Sequence, residues 1–131
     1  MIYLDSCVVI YAVEDPGTRG DAVRGRLARA GDEAVAVSPL VAMECLVGPL
    51  RQGDLELEAR YRTILGLFRQ LAVDADVFER AARFRAALGL RTPDALHLAA
   101  AQVHGCSALW TDDQRLHAAS RGLAVDVVAG A

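Results

Sequence analysis

The sequence has 131 residues, of which 53% are hydrophobic and 24% charged, a composition typical of one globular domain over residues 1–131. No apolar run approaches the ~20 residues that a membrane span needs, and the first residues do not resemble a signal peptide, so we expect a soluble, cytoplasmic protein. The formal net charge of -3 argues against a general nucleic-acid-binding surface, and the absence of lysine among the 14 basic residues excludes P-loop and Schiff-base mechanisms.

The first part of the chain alternates β-prone runs with helical patterns. Residues 2–4 predict a strand that ends at Asp5 and turns tightly into a helix, which Glu14 to Gly17 stops. An amphipathic helix over residues 19–30 and a strand over 34–37 follow. Ser38 as N-cap and Pro39 at the first helical position predict a helix to about Val47, ended by the Gly-Pro pair at 48–49.

The same alternation continues to the end of the sequence. We expect helices over residues 55–70, 75–88, 92–104 and 113–120, and strands over 71–73, 108–110 and 123–128. Strands separated by helices imply right-handed crossovers and a mostly parallel sheet covered on both faces. Ligands of such sheets bind outside the carboxyl ends of the strands.

Acidic residues stand where this topology would bring them to that edge. Asp5 ends the first strand, and the pair Asp112-Asp113 follows the strand that ends at Trp110. Glu44 lies inside an otherwise apolar helix, where an unpaired charge would cost several kcal/mol. Asp94 occupies the first turn of its helix, where the helix dipole favours a carboxylate. Independent local patterns therefore point to one edge of the sheet.

Each of these acids alone also has an ordinary structural explanation. Asp5 and the pair at 112–113 are common in turns, and Asp94 is common at a helix start; Glu44 is the hardest to explain in this way. Their joint occurrence favours a site. Hard oxygen ligands suit Mg²⁺, with Mn²⁺ as a substitute, and a carboxylate cluster that holds such ions is typical of phosphodiester hydrolysis.

The order and spacing of four short motifs resemble a known family. These motifs are Asp5-Ser6 after the first strand, Ser38 with Glu44 six residues on, Pro93-Asp94-Ala95 opening an Ala-rich helix, and Thr111-Asp112-Asp113 after a late strand. Together they resemble the PIN-domain nucleases, and specifically the VapC toxins of bacterial toxin–antitoxin pairs, along the whole chain.

The resemblance implies a fold, an activity and a set of ligands. The fold would be a three-layer α/β/α PIN-like domain with a mostly parallel central sheet, and the activity that of a magnesium-dependent endoribonuclease. Asp5, Glu44, Asp94 and Asp113 would be catalytic and hold the metal. Ser6, Thr111 and Asp112 would be auxiliary: Ser6 matches a small hydroxyl residue after the first aspartate, and Thr111 would orient Asp113 by a hydrogen bond.

The resemblance also implies partners: an RNA substrate, a separate VapB-like antitoxin and a second copy of the chain. The apolar helices around residues 41–47 and 55–68 offer surfaces for the last two, although core packing explains much of their character. For His97, one turn after Asp94, a structural or surface role is favoured over a role in the site. Arg91 is among several arginines that would meet phosphates or simply face solvent.

Two other classes of function share part of this pattern. A phosphotransfer domain also places an aspartate after the first strand of a parallel sheet, but it normally needs a phosphate-pairing lysine, which this sequence lacks. A catalytically inactive PIN-fold module for RNA binding or dimerisation is the remaining alternative; the complete set of four acids argues against it. Three cysteines without a metal-ligand or disulfide spacing are expected to be reduced thiols.

Overall fold

A computed structural model of the protein describes residues 1–31 and 33–129, which form a parallel sheet of five strands and seven helices. The strands are β1 (Ile2–Leu4), β2 (Val35–Val37), β3 (Arg69–Gln70), β4 (Ala108–Trp110) and β5 (Ala124–Val125). The helices are α1 (Ser6–Glu14), α2 (Thr18–Arg29), α3 (Pro39–Gln52), α4 (Leu55–Gly66), α5 (Ala75–Leu88), α6 (Thr92–Val103) and α7 (Gln114–Ala119). The helices flank the sheet and give the expected three-layer α/β/α architecture.

The strand order β3-β2-β1-β4-β5 places β1 at the centre of the sheet. Tyr3 of β1 pairs with Ala36 of β2 on one side and with Leu109 of β4 on the other. The chain leaves β1 in the direction of β2 and reaches β4 only after β3, so the winding direction reverses between β1 and β4. A ligand crevice is expected at the carboxyl ends of these two strands.

Helix α6 is the most deeply buried helix, with every residue from Asp94 to Ala101 shielded from solvent. A helix that is apolar on all sides needs neighbours on all sides, and the small alanines let α5 and β4 approach it closely. Asp94 and His97 are the polar members of this buried run. Their charges and hydrogen-bonding groups therefore have to be satisfied inside the protein.

Several predicted element boundaries were wrong, among them the end of α4, which stops at Gly66, and both ends of β5, which covers only Ala124–Val125. Helix α3 does not end at Gly48-Pro49: it continues to Gln52, contains a buried Pro49, and stops at Gly53, whose φ of +66° supplies the left-handed C-cap. A proline removes one helical hydrogen bond, and here that loss falls in the last turns of the helix. The Gly-Pro pair therefore marks no stop.

The third strand was placed two residues too late. The ladder with β2 is made by Arg69 and Gln70, whose side chains are exposed at the sheet edge. Leu71 is buried and still donates its N–H to Val37, 2.9 Å away, but it lies just beyond the strand. Hydrophobicity marks burial here, whereas the backbone ladder defines the strand.

No helix among the described residues has the length and apolar character of a membrane span.

Candidate metal centre at the carboxyl ends of β1 and β4

Asp5 is held in place by both strands and by the first helix. It follows β1 directly, and its N–H donates to the carbonyl of Trp110, the last residue of β4, at 3.0 Å. The residue is 7% exposed. Its Oδ1 accepts the N–H of Ser6 at 2.7 Å, and its Oδ2 accepts the hydroxyl of Thr111 at the same distance. Local backbone geometry and one buried hydroxyl thus fix the carboxylate before any ligand arrives.

Glu44 reaches the same place from α3. Its Oε1 lies 2.6 Å from Nε2 of His97, and the same nitrogen is 3.5 Å from Oδ1 of Asp5. One ligand atom from each of these three residues lies within 4.8 Å of the other two. Burial alone would raise the pKa of Glu44, but His97, Ser6 and Arg91 together lower it below its usual value. The Glu44 side chain is therefore ionised at neutral pH.

Asp94 and Asp113 meet at one cation. The guanidinium of Arg91 lies 3.1 Å from Oδ2 of Asp94 and 3.8 Å from Oδ2 of Asp113. Asp113 is fixed by its second oxygen, which caps α7 by accepting the N–H groups of Arg115 and Leu116. Because Arg91 also lowers the pKa of Glu44, its charge acts on that acid as well as on Asp94 and Asp113.

Three residues connect the four acids into one network. His97 joins Glu44 to Asp5, and Thr111 joins Asp5 to the backbone N–H of Asp113. Arg91 joins Asp113 to Asp94. The sequence predicted all four acids at this edge. It did not single out Arg91 or His97 for this role. For His97, the local pattern of α6 indicates only that the residue is buried. The feature that could have indicated its role is a polar ring on a buried helix face.

Thr111 forms a hydrogen bond with Asp113, as the resemblance implies, and a second one with Asp5, whereas Asp112 bonds to Tyr11. The Thr111 hydroxyl donates to Asp5, and it accepts the backbone N–H of Asp113 rather than contacting that carboxylate. Asp112 faces another neighbour: its Oδ2 accepts the hydroxyl of Tyr11 at 2.7 Å, and Arg19 donates to the same hydroxyl at 3.2 Å. Asp112 thus ties the end of β4 to α1.

The donor chemistry of this pocket fits a divalent cation. Four carboxylates offer hard oxygen atoms, and Asp5 and Asp94 are each only 7% exposed. Such buried carboxylates need positive charge nearby, and hard oxygen donors are the ligands that Mg²⁺ and Mn²⁺ prefer. Burial raises the pKa of Cys45 to about 12 and also raises the pKa of Cys7 and Cys106, which keeps these thiols protonated at neutral pH.

The sequence profile of the PIN domain matches residues 2–122, which is most of the chain. The chain belongs to the PIN domain family. The fold expected from the four motifs is thereby confirmed.

Solved structures agree with this assignment over nearly the whole chain. A toxin–antitoxin complex from Klebsiella pneumoniae is 25% identical with a TM-score of 0.80, covering 97% of this chain and 98% of that one. FitAcB from Neisseria gonorrhoeae is 21% identical with a TM-score of 0.81, again over 97% and 98%. VapC20 from Mycobacterium tuberculosis, described as a toxin that cleaves the sarcin-ricin loop, is 19% identical with a TM-score of 0.76, over 91% and 95%.

The resemblance to VapC-type toxins is thus supported by the neighbours of this PIN domain as well as by its motifs. No curated protein sequence matches the chain significantly.

Proposed function

We propose that this PIN domain is a magnesium-dependent endoribonuclease that acts as the toxin of a VapBC-type toxin–antitoxin pair. The observation that carries the proposal is the network of Asp5, Glu44, Asp94 and Asp113 at the junction of β1 and β4. The similarity to a toxin–antitoxin complex and to an RNA-cleaving VapC toxin supports it.

In this proposal the four carboxylates hold Mg²⁺, or Mn²⁺ in its place. A bound ion of this kind polarises the phosphoryl oxygen and supplies a water nucleophile at neutral pH. Thr111 and the N–H of Ser6 keep both oxygens of Asp5 in fixed directions. Arg91, whose side chain is 65% exposed at the rim, offers a bidentate donor to an RNA phosphate.

Hydrolysis by water leaves 5′-phosphate and 3′-hydroxyl ends. The alternative, attack by the RNA 2′-hydroxyl, needs an accessible general base. His97 does not serve, since it is 1% exposed and both of its ring nitrogens are already engaged inside the protein. The buried position of His97 thus favours water over the 2′-hydroxyl as the nucleophile.

The test is cleavage of RNA by the purified chain with Mg²⁺, with EDTA, and after Asp5→Asn. We expect cleavage only with the metal, 5′-phosphate ends, and at least about 100-fold less activity for Asp5→Asn, because the ion loses a charged ligand. Asp54→Asn is the matched control: Asp54 caps α4, and asparagine caps equally well. Cleavage that persists in EDTA, or 2′,3′-cyclic phosphate ends, would contradict the mechanism.

The toxin role makes a separate expectation. Expressed alone in a susceptible bacterium, the wild type should arrest growth, and Asp5→Ala or Asp94→Ala should relieve the arrest at equal protein level. Equal toxicity of all three would favour the alternative of an inactive RNA-binding or dimerising module.

Apolar surface supports the two protein partners, an antitoxin and a second copy. Val13, Leu27, Ile64 and Phe68 line a groove of about 570 Å³ between α1, α2 and α4. Separately, α3 and the start of α4 expose large apolar side chains, namely Met43 (57%), Val47 (43%), Leu50 (55%) and Leu55 (77%). Surfaces of this kind suit a partner's amphipathic helix and self-association.

Light scattering of the free chain and co-purification with the product of the adjacent reading frame test these partners. A stable monomer in solution would contradict the proposed homodimer. Nuclease activity that the neighbouring gene product does not change would contradict the proposed antitoxin.

A further inference from the structure

A chain of buried polar side chains runs from the core to the carboxylates. The hydroxyl groups of Ser38 and Tyr3 lie 2.8 Å apart, and Tyr3 is again 2.8 Å from Nδ1 of His97. The other ring nitrogen of His97 faces Glu44 and Asp5. Ser38 and Tyr3 are fully buried, and His97 is 1% exposed. The Ser38 side chain makes no hydrogen bond to cap α3, so its hydroxyl is free to serve Tyr3.

The acceptors at the end of this chain fix the direction of its hydrogen bonds. An ionised carboxylate only accepts, so Nε2 of His97 must carry the hydrogen that lies between it and Glu44. In a neutral imidazole, Nδ1 then accepts, and the donor available to it is the Tyr3 hydroxyl. Tyr3 in turn accepts from Ser38. Burial raises the pKa of Tyr3, which keeps its hydroxyl protonated as this order requires.

The contact between His97 and Glu44 has the length of a hydrogen bond. The Nε2 to Oε1 distance is 2.6 Å, which fits a charge-assisted hydrogen bond. The same N–H lies 3.5 Å from Oδ1 of Asp5 and is thus placed between the two carboxylates.

We propose that His97 is a positioning residue of the metal centre, whose Nε2–H holds Glu44 beside Asp5 while Tyr3 and Ser38 fix the ring in the tautomer that can donate. This role rests on the proposed function of the carboxylates as metal ligands. It explains why a buried, otherwise Ala- and Leu-rich helix carries a histidine at this position. Groups that orient metal ligands from behind typically change metal affinity by about 10–100-fold when they are removed.

The test is calorimetric titration of Mn²⁺ into the purified chain, with thermal unfolding in EDTA measured in parallel. His97→Leu should weaken Mn²⁺ binding by about 10–100-fold. His97→Gln should recover part of the affinity, because its amide can donate from nearly the same place. Tyr3→Phe leaves His97 intact, removes its hydrogen-bond donor, and should give a smaller loss.

The matched control is His104→Gln. His104 lies at the other end of α6, where Nε2 meets the carbonyl of Ala72, and its substitution should leave Mn²⁺ affinity unchanged. A purely structural role for His97 predicts lower thermal stability with unchanged Mn²⁺ affinity in the folded protein. If His97→Leu fails to fold, Tyr3→Phe still decides: unchanged Mn²⁺ affinity in that variant overturns the proposal.

The test also separates this proposal from the proposed function. A wild type that binds Mn²⁺ and cleaves RNA, beside a His97→Leu variant with the same affinity, overturns the positioning role alone. A wild type that binds no Mn²⁺ overturns both. Electron paramagnetic resonance of Mn²⁺ in protein labelled with ¹⁵N-histidine adds a direct check, because a directly coordinated nitrogen would make His97 a ligand and contradict the positioning role.

Discussion

The site holds its carboxylates in two ways. We call Asp5 and Glu44 the inner part because buried groups hold them, and Asp94 and Asp113 the outer part because the exposed Arg91 holds them, although Asp94 itself is as buried as Asp5. In the inner part, Asp5 and Glu44 are gripped by groups that belong to the core, the Thr111 hydroxyl and the His97 ring. In the outer part, Asp94 and Asp113 share the charge of Arg91, a side chain that is 65% exposed.

The inner carboxylates are therefore held by fixed hydrogen-bond geometry, whereas the outer ones are held by the charge of Arg91. Hydrogen bonds from buried, rotationally fixed donors are costly to lose and keep their acceptors in place, so the inner carboxylates are preorganised. An exposed arginine contributes about 0–1 kcal/mol through each ion pair and swings away at little cost. The outer carboxylates are thus compensated by a cation that the proposed metal ion would replace, which would leave Arg91 available for a phosphate of the proposed RNA substrate.

The largest effect is expected in the outer part, where two adjacent acids have opposite surroundings. Asp113→Asn should abolish cleavage, since it removes a charge beside Arg91, while asparagine still caps α7 and preserves the fold. Asp112→Asn should weaken cleavage less, because Asp112 is engaged by Tyr11 outside the network. RNA cleavage rates of the two variants decide this, and a reversed order would show that Asp112 is the ligand.

A smaller effect is expected from Thr111, which tests whether the inner part is preorganised. Thr111→Val keeps the shape of the side chain but removes the hydroxyl that donates to Asp5, and should weaken Mn²⁺ binding by about 10-fold or more. Thr111→Ser keeps the hydroxyl and serves as the control. Equal calorimetric affinities for the two variants would mean that the hydrogen bond to Asp5 contributes nothing to the site.

The smallest effect is expected from Arg91, and it has the opposite sign. Arg91→Gln removes a cation that competes with the metal for Asp94 and Asp113, so Mn²⁺ affinity should rise by a few-fold, about what an exposed ion pair is worth. The gain should shrink at high salt, where the ion pair is already screened. Weaker Mn²⁺ binding by Arg91→Gln would instead show that Arg91 organises the acids.

The sequence predicted the carboxylates of this site better than it predicted the side chains that hold them in place. Asp5, Asp94 and Asp113 were predicted because strand ends and helix starts can be recognised locally, and Glu44 because a charge in an apolar helix needs a partner. A parallel sheet brings strand ends and helix starts to one edge. Ser38 was predicted as the N-cap of α3 and occupies that position, but its hydroxyl turns to Tyr3 instead. That choice depends on two side chains 35 residues apart, which no local pattern encodes.

Distance along the chain also explains why the contact between Tyr3 and His97 was not predicted. Tyr3 and His97 are 94 residues apart, and each alone reads as an ordinary core residue. Proline usually ends a helix, so the sequence predicts that α3 ends at Gly48-Pro49. In the structure, Gly53 supplies the left-handed cap four residues after Pro49. Local rules predict which elements form and in what order, whereas long-range contacts decide what their polar side chains do.

The central claim, that four carboxylates at the junction of β1 and β4 hold a divalent cation, is tested most directly by anomalous scattering from crystals grown with Mn²⁺. The account predicts an anomalous peak within bonding distance of carboxylate oxygens from Asp5, Glu44, Asp94 or Asp113, with Arg91 withdrawn from the acids. A peak elsewhere on the protein, or none at a Mn²⁺ concentration that supports RNA cleavage, would contradict it.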